Sequence, residues 1–547
     1  MDQRVDGHPA LRRVGKIALV AIPVAFLAYF FAYPLLSVLA TGFTADGRLD
    51  FGPIDSVFRR PALLDVAWFT LWQATASTIL TVVAALPAAH VLARYEFRGK
   101  RFVRAAIVVP FVLPTVVVGS AFLALLGPSG PVGIDLRHTI WAILLAHVFF
   151  NYSIVVRTVS TYWERLDPAL EEAGAMLGAT RFRVFWRVTL PLLRPALASA
   201  ASLVFLFTFT SFGIILILGG LQYSTLDVEI WRQATGLLDF NVAAALALLQ
   251  IIGITLILFL YSRYQERRSV EFEHSVAAAA KPMQSRRERL TVLANLLFML
   301  LLLGTPLFVL IDRSFRSANG YTLAAYRNLN ERVAGMAAPA TTAIWNSARF
   351  AVVATLLAVA IGLAAATVIA YRRGWLSRSF DALLMLPLGT SAVTLGFGFL
   401  LAFDAPIDLR TSIWIIPIAH SMVAIPFVVR TAVPVMRSVR HRLREAAAML
   451  GAPPNRVWRE IDLPLVTRAA LIGAGFAFAV SLGEFGATSF LALPSNPTLP
   501  TAIFRLLGRP GTESFSSAMA LSTILMVATT VTIFAIERSR TEGLGDF

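Results

Sequence analysis

The sequence predicts an all-α integral membrane protein with about twelve transmembrane helices arranged as two tandem parallel repeats. Of its 547 residues, 57% are hydrophobic and 15% are charged, and the mean hydropathy is +0.71. A typical soluble domain has about 25% charged residues. The apolar residues form long runs, and many residues recur 273 positions later, so one half of the chain repeats the other.

Each predicted span is a run of roughly 20 mostly apolar residues, the length that crosses the hydrocarbon core. The first run is long for a signal peptide and has no clear cleavage site, so we interpret it as a retained helix. The predicted spans are 17–40, 66–92, 105–126, 138–160, 195–219, 241–263, 291–311, 343–370, 380–402, 411–430, 468–491 and 515–536. An even number of spans separates the copies, which predicts a pseudo-two-fold axis along the membrane normal and a pathway between the halves.

Lysine and arginine residues predict the orientation, because they accumulate on the cytoplasmic side of a membrane protein. With the N-terminus inside, the inner segments carry 35 of these 48 residues and the outer loops carry 12. Both termini are therefore expected in the cytoplasm. The same bias explains the net charge of +16 without nucleic acid as a partner. The absence of cysteine excludes disulfides and thiolate chemistry.

The repeat divides the chain at a charged stretch that contains an alanine run, 277–280, which is typical of a cytoplasmic linker. His147 recurs as His420, and Phe212-Gly213 recurs as Phe485-Gly486. The predicted organisation is an N-terminal transmembrane helix with an outer loop (1–59), a first repeat (60–263), the linker (264–290), a seventh transmembrane helix with an outer loop (291–339), and a second repeat (340–537).

One polar, arginine-rich loop occurs in each half on the predicted inner side. Asp167 and Pro168 form a good helix start, a left-handed Gly178 is expected to end that helix, and Thr180 is a candidate cap for the next one. Ser438 is the candidate cap in the second copy. The residues common to the loops are Glu172, Ala173, Gly174, Gly178, Leu190 and Pro191 in the first copy, and Glu445, Ala446, Ala447, Gly451, Leu463 and Pro464 in the second.

Each loop is therefore predicted to be a helix, a glycine turn and a second helix on the inner surface. A single such loop would be explained equally well as an amphipathic elbow lying on lipid headgroups. Two loops with the same Glu, Gly and Leu-Pro spacing, in corresponding places, favour a docking knob for a cytosolic partner.

The spacing Glu-Ala-Ala/Gly, three residues, Gly, nine residues, Ile/Val, one residue, Leu-Pro resembles the EAA loop of permease subunits in bacterial binding-protein-dependent ABC importers. The departures, Gly174 and Val188, are mild. The resemblance implies the type I (MetI-like) permease architecture, with 60–263 and 340–537 as its two transmembrane domains. It also implies that the loops are coupling helices that dock on the ATP-hydrolysing subunit.

The resemblance further implies partners for this chain: two copies of a cytoplasmic ATPase, an extracytoplasmic solute-binding protein, and the lipid bilayer of the plasma (inner) membrane. The sequence agrees, since neither Gly15-Lys16-Ile17 nor Gly99-Lys100-Arg101 completes the G-x4-G-K-[ST] phosphate-binding loop. The chain is thus expected to be neither an enzyme nor a binder of a cofactor.

The transported solute is addressed by a more detailed resemblance. Leu144 to Asn151, Ser211-Phe212-Gly213 and the segment from Thr225 to Ile230 resemble the fused two-half permeases of thiamine importers. Ferric-iron importers share the layout, so thiamine is the first expectation and ferric iron the alternative. An ion-coupled secondary transporter is the alternative from another class, but it expects charges distributed through several spans and leaves the paired loops unexplained.

Glu484 is the candidate pathway residue, because a carboxylate inside a span costs about 3 kcal/mol and is expected to face protein or water. Ser211 holds the matching position, and Phe212 and Phe485 follow. The alternatives for Glu484 are a structural hydrogen bond to a neighbouring helix, or a position close enough to the outer surface to be hydrated. His147 and His420 are expected to link helices rather than bind metal. Asp227 and Glu229 are assigned to an outer loop that either docks the binding protein or is simply solvated.

Overall fold

The computed structural model describes residues 19–541 apart from 46–47, 129, 132, 269–279, 318–319, 332–336, 372–373, 405–407 and 439–440. The described chain is almost entirely helical, which confirms the predicted fold class. The helices before the linker are α1 Leu19–Phe43, α2 Gly52–Arg59, α3 Pro61–Arg94, α4 Lys100–Val112, α5 Thr115–Leu125, α6 Ile140–Glu164, α7 Pro168–Met176, α8 Arg181–Phe209, α9 Gly213–Leu218, α10 Leu226–Trp231 and α11 Phe240–Arg268.

The second half repeats this order, beginning after the linker with the helix that corresponds to α1. Its helices are α12 Arg286–Ser314, α13 Ala324–Arg327, α14 Ala340–Tyr371, α15 Trp375–Gly389, α16 Ala392–Ala402, α17 Ile415–Ser438, α18 His441–Met449, α19 Pro454–Val457, α20 Leu463–Gly483, α21 Thr488–Leu491, α22 Leu499–Leu507 and α23 Thr512–Thr541.

The predicted number of spans is confirmed when each of two bent helix pairs is counted as one span. Ten described helices are long and apolar enough to cross a membrane, and two further pairs bend by 98° and 90°. These bent pairs lie at the spans predicted at 105–126 and 380–402. In the first half α5 starts after Pro114, which cannot donate a backbone hydrogen bond. In the second half Ser391 caps α16, its hydroxyl accepting from Val393 N at 3.1 Å.

Two other predicted spans, 195–219 and 468–491, end early. The α8 helix stops at Phe209 and α20 stops at Gly483, and each is followed by a non-helical break and then a short helix. We call residues 210–212 the first break and 484–487 the second break. Apolar residues lie on both sides of each break, which is why composition alone predicted one span across each of them.

A widened helical turn occurs at corresponding places in both halves, within α8 at Phe185–Thr189 and directly before α20 at Trp458–Asp462. Each turn is followed by Leu-Pro, whose proline nitrogen has no hydrogen to donate to the preceding turn. The repeat thus extends to this irregularity. It extends also to the loops before α6 and α17, where Arg137 holds the pKa of Asp135 at about 2 and Arg410 lowers the pKa of Asp408.

The first helix of each half packs against the other half. The rings of Phe30 on α1 and Phe403 in the second half lie 5.7 Å apart, and Phe298 on α12 lies 6.5 Å from Tyr152 on α6. The largest apolar cluster combines residues of both halves, such as Phe122 and Phe397. These exchanged helices join the halves into one body, and nothing in the sequence pattern predicted this exchange.

The described strands are three two-residue pairs. Two are hairpins, β1 Thr44–Ala45 with β2 Arg48–Leu49, and β5 Arg316–Ser317 with β6 Gly320–Tyr321. The third pairs β3 Tyr95–Glu96 in parallel with β4 Lys281–Pro282. This pair fixes the end of the linker to the side of the first half that carries its loop, whereas the alanine run lies mostly outside the described residues.

Candidate functional site

The first loop folds as the sequence predicts. The Asp167 carboxylate accepts a hydrogen bond from Ala169 N at 2.9 Å, so Asp167 caps α7 and Pro168 occupies its first position. Thr180 caps the following helix by accepting from Arg183 N at 3.3 Å. In the second loop Ser438 is instead the last residue of α17, and residues 439–440 lie outside the described residues, so the predicted cap role for Ser438 is wrong.

The glycine turns are nearly identical in the two loops. Gly178 has φ +79° and Gly451 has φ +80°, a left-handed conformation that favours glycine. Ala179 N donates to Gly174 O at 3.2 Å in the first loop, and Ala452 N donates to Ala447 O at 2.9 Å in the second. Both turns therefore end the helix with the same backbone hydrogen bond and expose the same face.

The tips of the loops present two apolar side chains each. Met176 and Leu177 are 89% and 88% exposed, and Met449 and Leu450 have the same two values. These four residues were not predicted from the sequence, although the run Ala-Met-Leu-Gly, which is identical in both copies, could have indicated them. Exposed, matched apolar pairs on a polar loop are what a docking contact requires.

The other motif residues divide between the tip and the base of the loop. Glu172, Ala173, Glu445 and Ala446 are exposed on the first helix, whereas Gly174 and Ala447 are half-buried. A side chain at Gly174 would come 3.2 Å from Val184, so this small residue lets the two short helices pack closely. The Leu-Pro pairs lie beyond the widened turns and not at the tips: Leu190 and Pro191 lie within α8, and Leu463 and Pro464 begin α20.

Polar contacts attach the first loop to neighbouring elements, and the second loop does not have the same residues at the corresponding positions. Arg94 at the end of α3 pairs with Glu171, Nη2 to Oε1 at 3.1 Å, and the Thr189 hydroxyl donates to the same carboxylate at 2.9 Å. The position that corresponds to Glu171 is Arg444 in the second half. Glu172 of the motif pairs with Lys281 of the linker at 2.8 Å. The tips are therefore alike, but their attachment to the membrane domain differs.

The two breaks meet at the seam between the halves. Phe212 of the first break stacks on Phe485 of the second, with ring centroids 5.4 Å apart. Trp231 and Phe504, which also correspond at the 273-residue offset, lie 5.9 Å apart and flank this pair. We call these four rings the aromatic cluster. Phe212 and Phe485 are buried, so the cluster closes the seam in this conformation.

Close glycine contacts fix the breaks to the bent helix pairs. A side chain at Gly213 would lie 2.3 Å from the Thr115 hydroxyl, and one at Gly486 would lie 2.9 Å from Ala392. Thr115 and Ala392 are the first residues of α5 and α16. Only glycine lets the breaks approach the starts of these helices, which explains the repeated Phe-Gly pair.

In the first half His147 links α6 to α3 and to the first break. Its Nδ1 lies 3.0 Å from the Ser77 hydroxyl and its Nε2 lies 2.9 Å from the Ser211 hydroxyl. The Thr225 hydroxyl donates to Ser211 O at 3.1 Å. All of these hydroxyl groups are uncharged, so the first break is held by neutral hydrogen bonds from neighbouring elements.

In the second half His420 lies beside a carboxylate. Its Nδ1 lies 2.7 Å from the Ser481 hydroxyl, and its Nε2 lies 2.7 Å from the Thr488 hydroxyl and 3.2 Å from Glu484 Oε2. Glu484 Oε1 accepts from Ala487 N at 2.8 Å, and Oε2 accepts from Thr488 N at 3.0 Å. Both carboxylate oxygens are thus occupied by the protein. Glu484 lies at the end of α20, not within its length as predicted.

The assignment of Asp227 and Glu229 to an exposed outer loop is wrong. Both side chains are fully buried on α10. Glu229 pairs with Arg232 at 3.0 Å and accepts from Gln233 Nε2 at 2.6 Å. Asp227 accepts a hydrogen bond from Ser391 Oγ, in the second half, at 2.6 Å. The first half therefore folds this segment back into the protein, which its charged sequence does not suggest.

Within the part of the chain that the structure describes, no group of three or more His, Asp or Glu side chains is arranged to hold a metal ion. The two histidines instead link helices through hydroxyl groups, as the interpretation from the sequence expected.

Comparisons with known proteins match both repeats. The family described as binding-protein-dependent transport system inner membrane component matches residues 82–270 and 358–539. The probable ABC transporter permease protein y4fN of Sinorhizobium fredii is 26% identical over 95% of this chain and 96% of its own length. The thiamine transport system permease protein ThiP of Brucella abortus is 29% identical over 84% of this chain and 85% of its own length. The probable sulfate transport system permease protein cysT of Chlorokybus atmophyticus is 32% identical over 35% of this chain and 69% of its own length.

Proposed function

We propose that this chain, which belongs to the family of binding-protein-dependent transport system inner membrane components and is the permease of an ABC importer, carries thiamine as its cargo. We further propose that its two loops dock on two copies of a separate ATPase. The observation that carries the coupling proposal is the matched pair of loop tips, with the same glycine turns and the same exposed Met-Leu pairs.

The cargo proposal is supported by the likeness to thiamine permeases over most of the chain. Full-length likeness to a fused two-half permease is stronger support than the partial likeness to a sulfate permease, which covers 35% of this chain. Permease sequence follows lineage as well as cargo, so transport itself must be measured.

For the pathway we propose the seam between the halves. Phe212 and Phe485 seal it in the closed form, and Ser211 and Glu484 hold the breaks that carry these rings. The ATPases, on closing, would pull the loops together and separate the breaks. Both termini and both loops would lie on the cytoplasmic side of the bacterial inner membrane. A solute-binding protein would deliver the cargo at the opposite face.

The test is uptake by proteoliposomes that contain the chain, its ATPase and its binding protein, with labelled thiamine compared with ferric iron. We expect ATP-dependent accumulation of thiamine and none of iron. Accumulation of iron alone would contradict the cargo. Accumulation by the chain alone on a proton or sodium gradient would contradict the coupling to an ATPase.

A further inference from the structure

Asp227 lies at the seam with one carboxylate oxygen unused. Its Oδ1 accepts from the Ser391 hydroxyl at 2.6 Å, across the boundary between the halves. Its Oδ2 has no hydrogen-bond partner among the described residues. The side chain is fully buried, and a buried carboxylate without its full set of partners is costly. The protein therefore keeps a buried hydrogen-bond acceptor here although its burial is energetically unfavourable.

Two further buried polar side chains lie on α11 and α16, the helices that pack against α10. The Gln250 carboxamide of α11 lies beside the carboxylate, yet in the described structure neither its oxygen nor its nitrogen forms a hydrogen bond of normal geometry. Thr394 is three residues beyond Ser391 on α16 and so lies on the same face of that helix. Its buried hydroxyl is likewise unpartnered within the described residues.

These groups lie next to the proposed pathway. Asp227 is one helical turn before Trp231 of the aromatic cluster, on α10. Ser391 and Thr394 belong to the α16 helix, against which the second break packs through Gly486. Separation of the halves would break the bond between Asp227 and Ser391 and free the whole carboxylate.

We propose that Asp227, Gln250 and Thr394 form a polar pocket that receives an organic cation bearing hydrogen-bond donors as it passes the seam. The carboxylate attracts the cationic charge, while the amide and the hydroxyl accept from donor groups and fix the orientation of the cargo. This inference rests on the proposed function for the identity of the cargo, since thiamine combines a positive ring with an amino group.

The second half offers no equivalent pocket, because Pro500 and Thr523 hold the positions of Asp227 and Gln250. Glu484, a buried carboxylate of the second break, uses both oxygens within the protein. The pocket is therefore a property of the first half, and the cargo would pass an asymmetric site in a pseudo-symmetric pathway.

The chain contains no cysteine, so a single introduced thiol reports on the pocket without background. We would label Gln250→Cys in the assembled transporter with a cationic and an anionic methanethiosulfonate reagent during ATP hydrolysis. The cationic reagent is expected to react faster, and Asp227→Asn in the same background should lower the ratio of the two rates by about tenfold. Ser391→Ala removes the hydrogen bond to Asp227 and the cap of α16 but no charge, so it should leave the ratio unchanged.

A ratio that does not respond to Asp227→Asn, or a thiol that never reacts in any nucleotide state, would overturn the pocket. Thr394→Cys repeats the measurement if Gln250→Cys fails to assemble. Thiamine should slow the labelling when Asp227 is present. A transporter that accumulates thiamine without this protection contradicts the pocket alone. A transporter that keeps the charge preference but does not move thiamine contradicts the proposed cargo alone.

Discussion

In the first half His147 joins the break to a hydroxyl on α3, whereas in the second half His420 joins it to a hydroxyl on α20, the helix that leads into the break. The second break also supplies its own acceptor, since Glu484 binds two backbone N–H groups that follow it. The first break has Ser211 at that position and depends on neighbouring helices. The same break in the backbone is thus stabilised partly by its own carboxylate in the second half, and by hydrogen bonds from neighbouring helices in the first.

The two loops with the glycine turns differ less than the breaks do, because their tips are alike in both halves. We expect Gly178→Asp combined with Gly451→Asp to reduce uptake by at least about 100-fold, since each charge lies at a proposed docking surface and interactions buried in such contacts are worth several kcal/mol. A side chain at either glycine meets no atom within 4 Å, and the strain of aspartate at positive φ is confined to an exposed turn, so the chain should still fold and reach the membrane.

Gly133→Asp is the matched control for this double variant. Gly133 also has a positive φ, +72°, and open space around it, but it lies in the predicted outer loop before α6. Uptake should persist in the control. Normal uptake and normal recovery of the ATPase in the double variant would contradict the role of the loops.

Because the two breaks are stabilised differently, substitutions at the corresponding residues Glu484 and Ser211 should lower the free energy of unfolding by different amounts. Glu484→Ala leaves Ala487 N and Thr488 N without their acceptor and should lower the free energy of unfolding by about 3 kcal/mol or more. Ser211→Ala removes a neutral hydrogen bond and should cost about 1 kcal/mol. Thermal unfolding of the purified chain in detergent measures both. Equal losses would remove the distinction between the halves.

Measuring uptake by the Glu484→Gln variant distinguishes an effect on protein stability from an effect on transport. Because the protein already occupies both oxygens of Glu484, we expect the amount of folded chain to fall while uptake per folded transporter stays within about twofold. A loss of uptake per folded transporter, with normal stability, would instead assign Glu484 a direct contact with the cargo.

The aromatic cluster predicts equal effects in the two halves. Phe212→Leu and Phe485→Leu keep an apolar side chain and should each cost less than about 1.5 kcal/mol of stability. Both should loosen the seal and raise the basal ATPase rate of the assembled transporter by similar factors. An effect confined to one variant would show that the seam is not symmetric at these rings.

The smallest expected effect comes from the linker. Lys281→Ala removes an exposed ion pair with Glu172, and such pairs contribute at most about 1 kcal/mol. Uptake should change by less than about threefold, and only through the first loop. A large loss would mean that the linker controls the position of that loop.

The features that the sequence predicted are those written in local patterns. Apolar length predicted the spans, and the spacing of Glu, Gly and Leu-Pro predicted both glycine turns. The bends near Pro114 and Ser391, and the breaks after Phe209 and Gly483, have apolar residues on both sides, so hydropathy could not reveal them.

The seam could not be predicted for another reason. The bond between Asp227 and Ser391 joins residues far apart in the chain, and the burial of Asp227 depends on that pairing. A charged residue in a short segment between spans is ordinarily solvated, which is why Asp227 and Glu229 were assigned to the surface. Contacts between the halves are properties of the assembled fold, and a single sequence does not record them.

Docking of one ATPase subunit on each loop is tested most directly by native mass spectrometry of the purified complex, which counts the ATPase subunits bound to one chain. The matched tips predict two subunits for the unaltered chain, and fewer when Met449 and Leu450 are both changed to aspartate. A complex with no ATPase, or with two subunits still bound after Met449 and Leu450 are changed, would contradict docking through both loop tips.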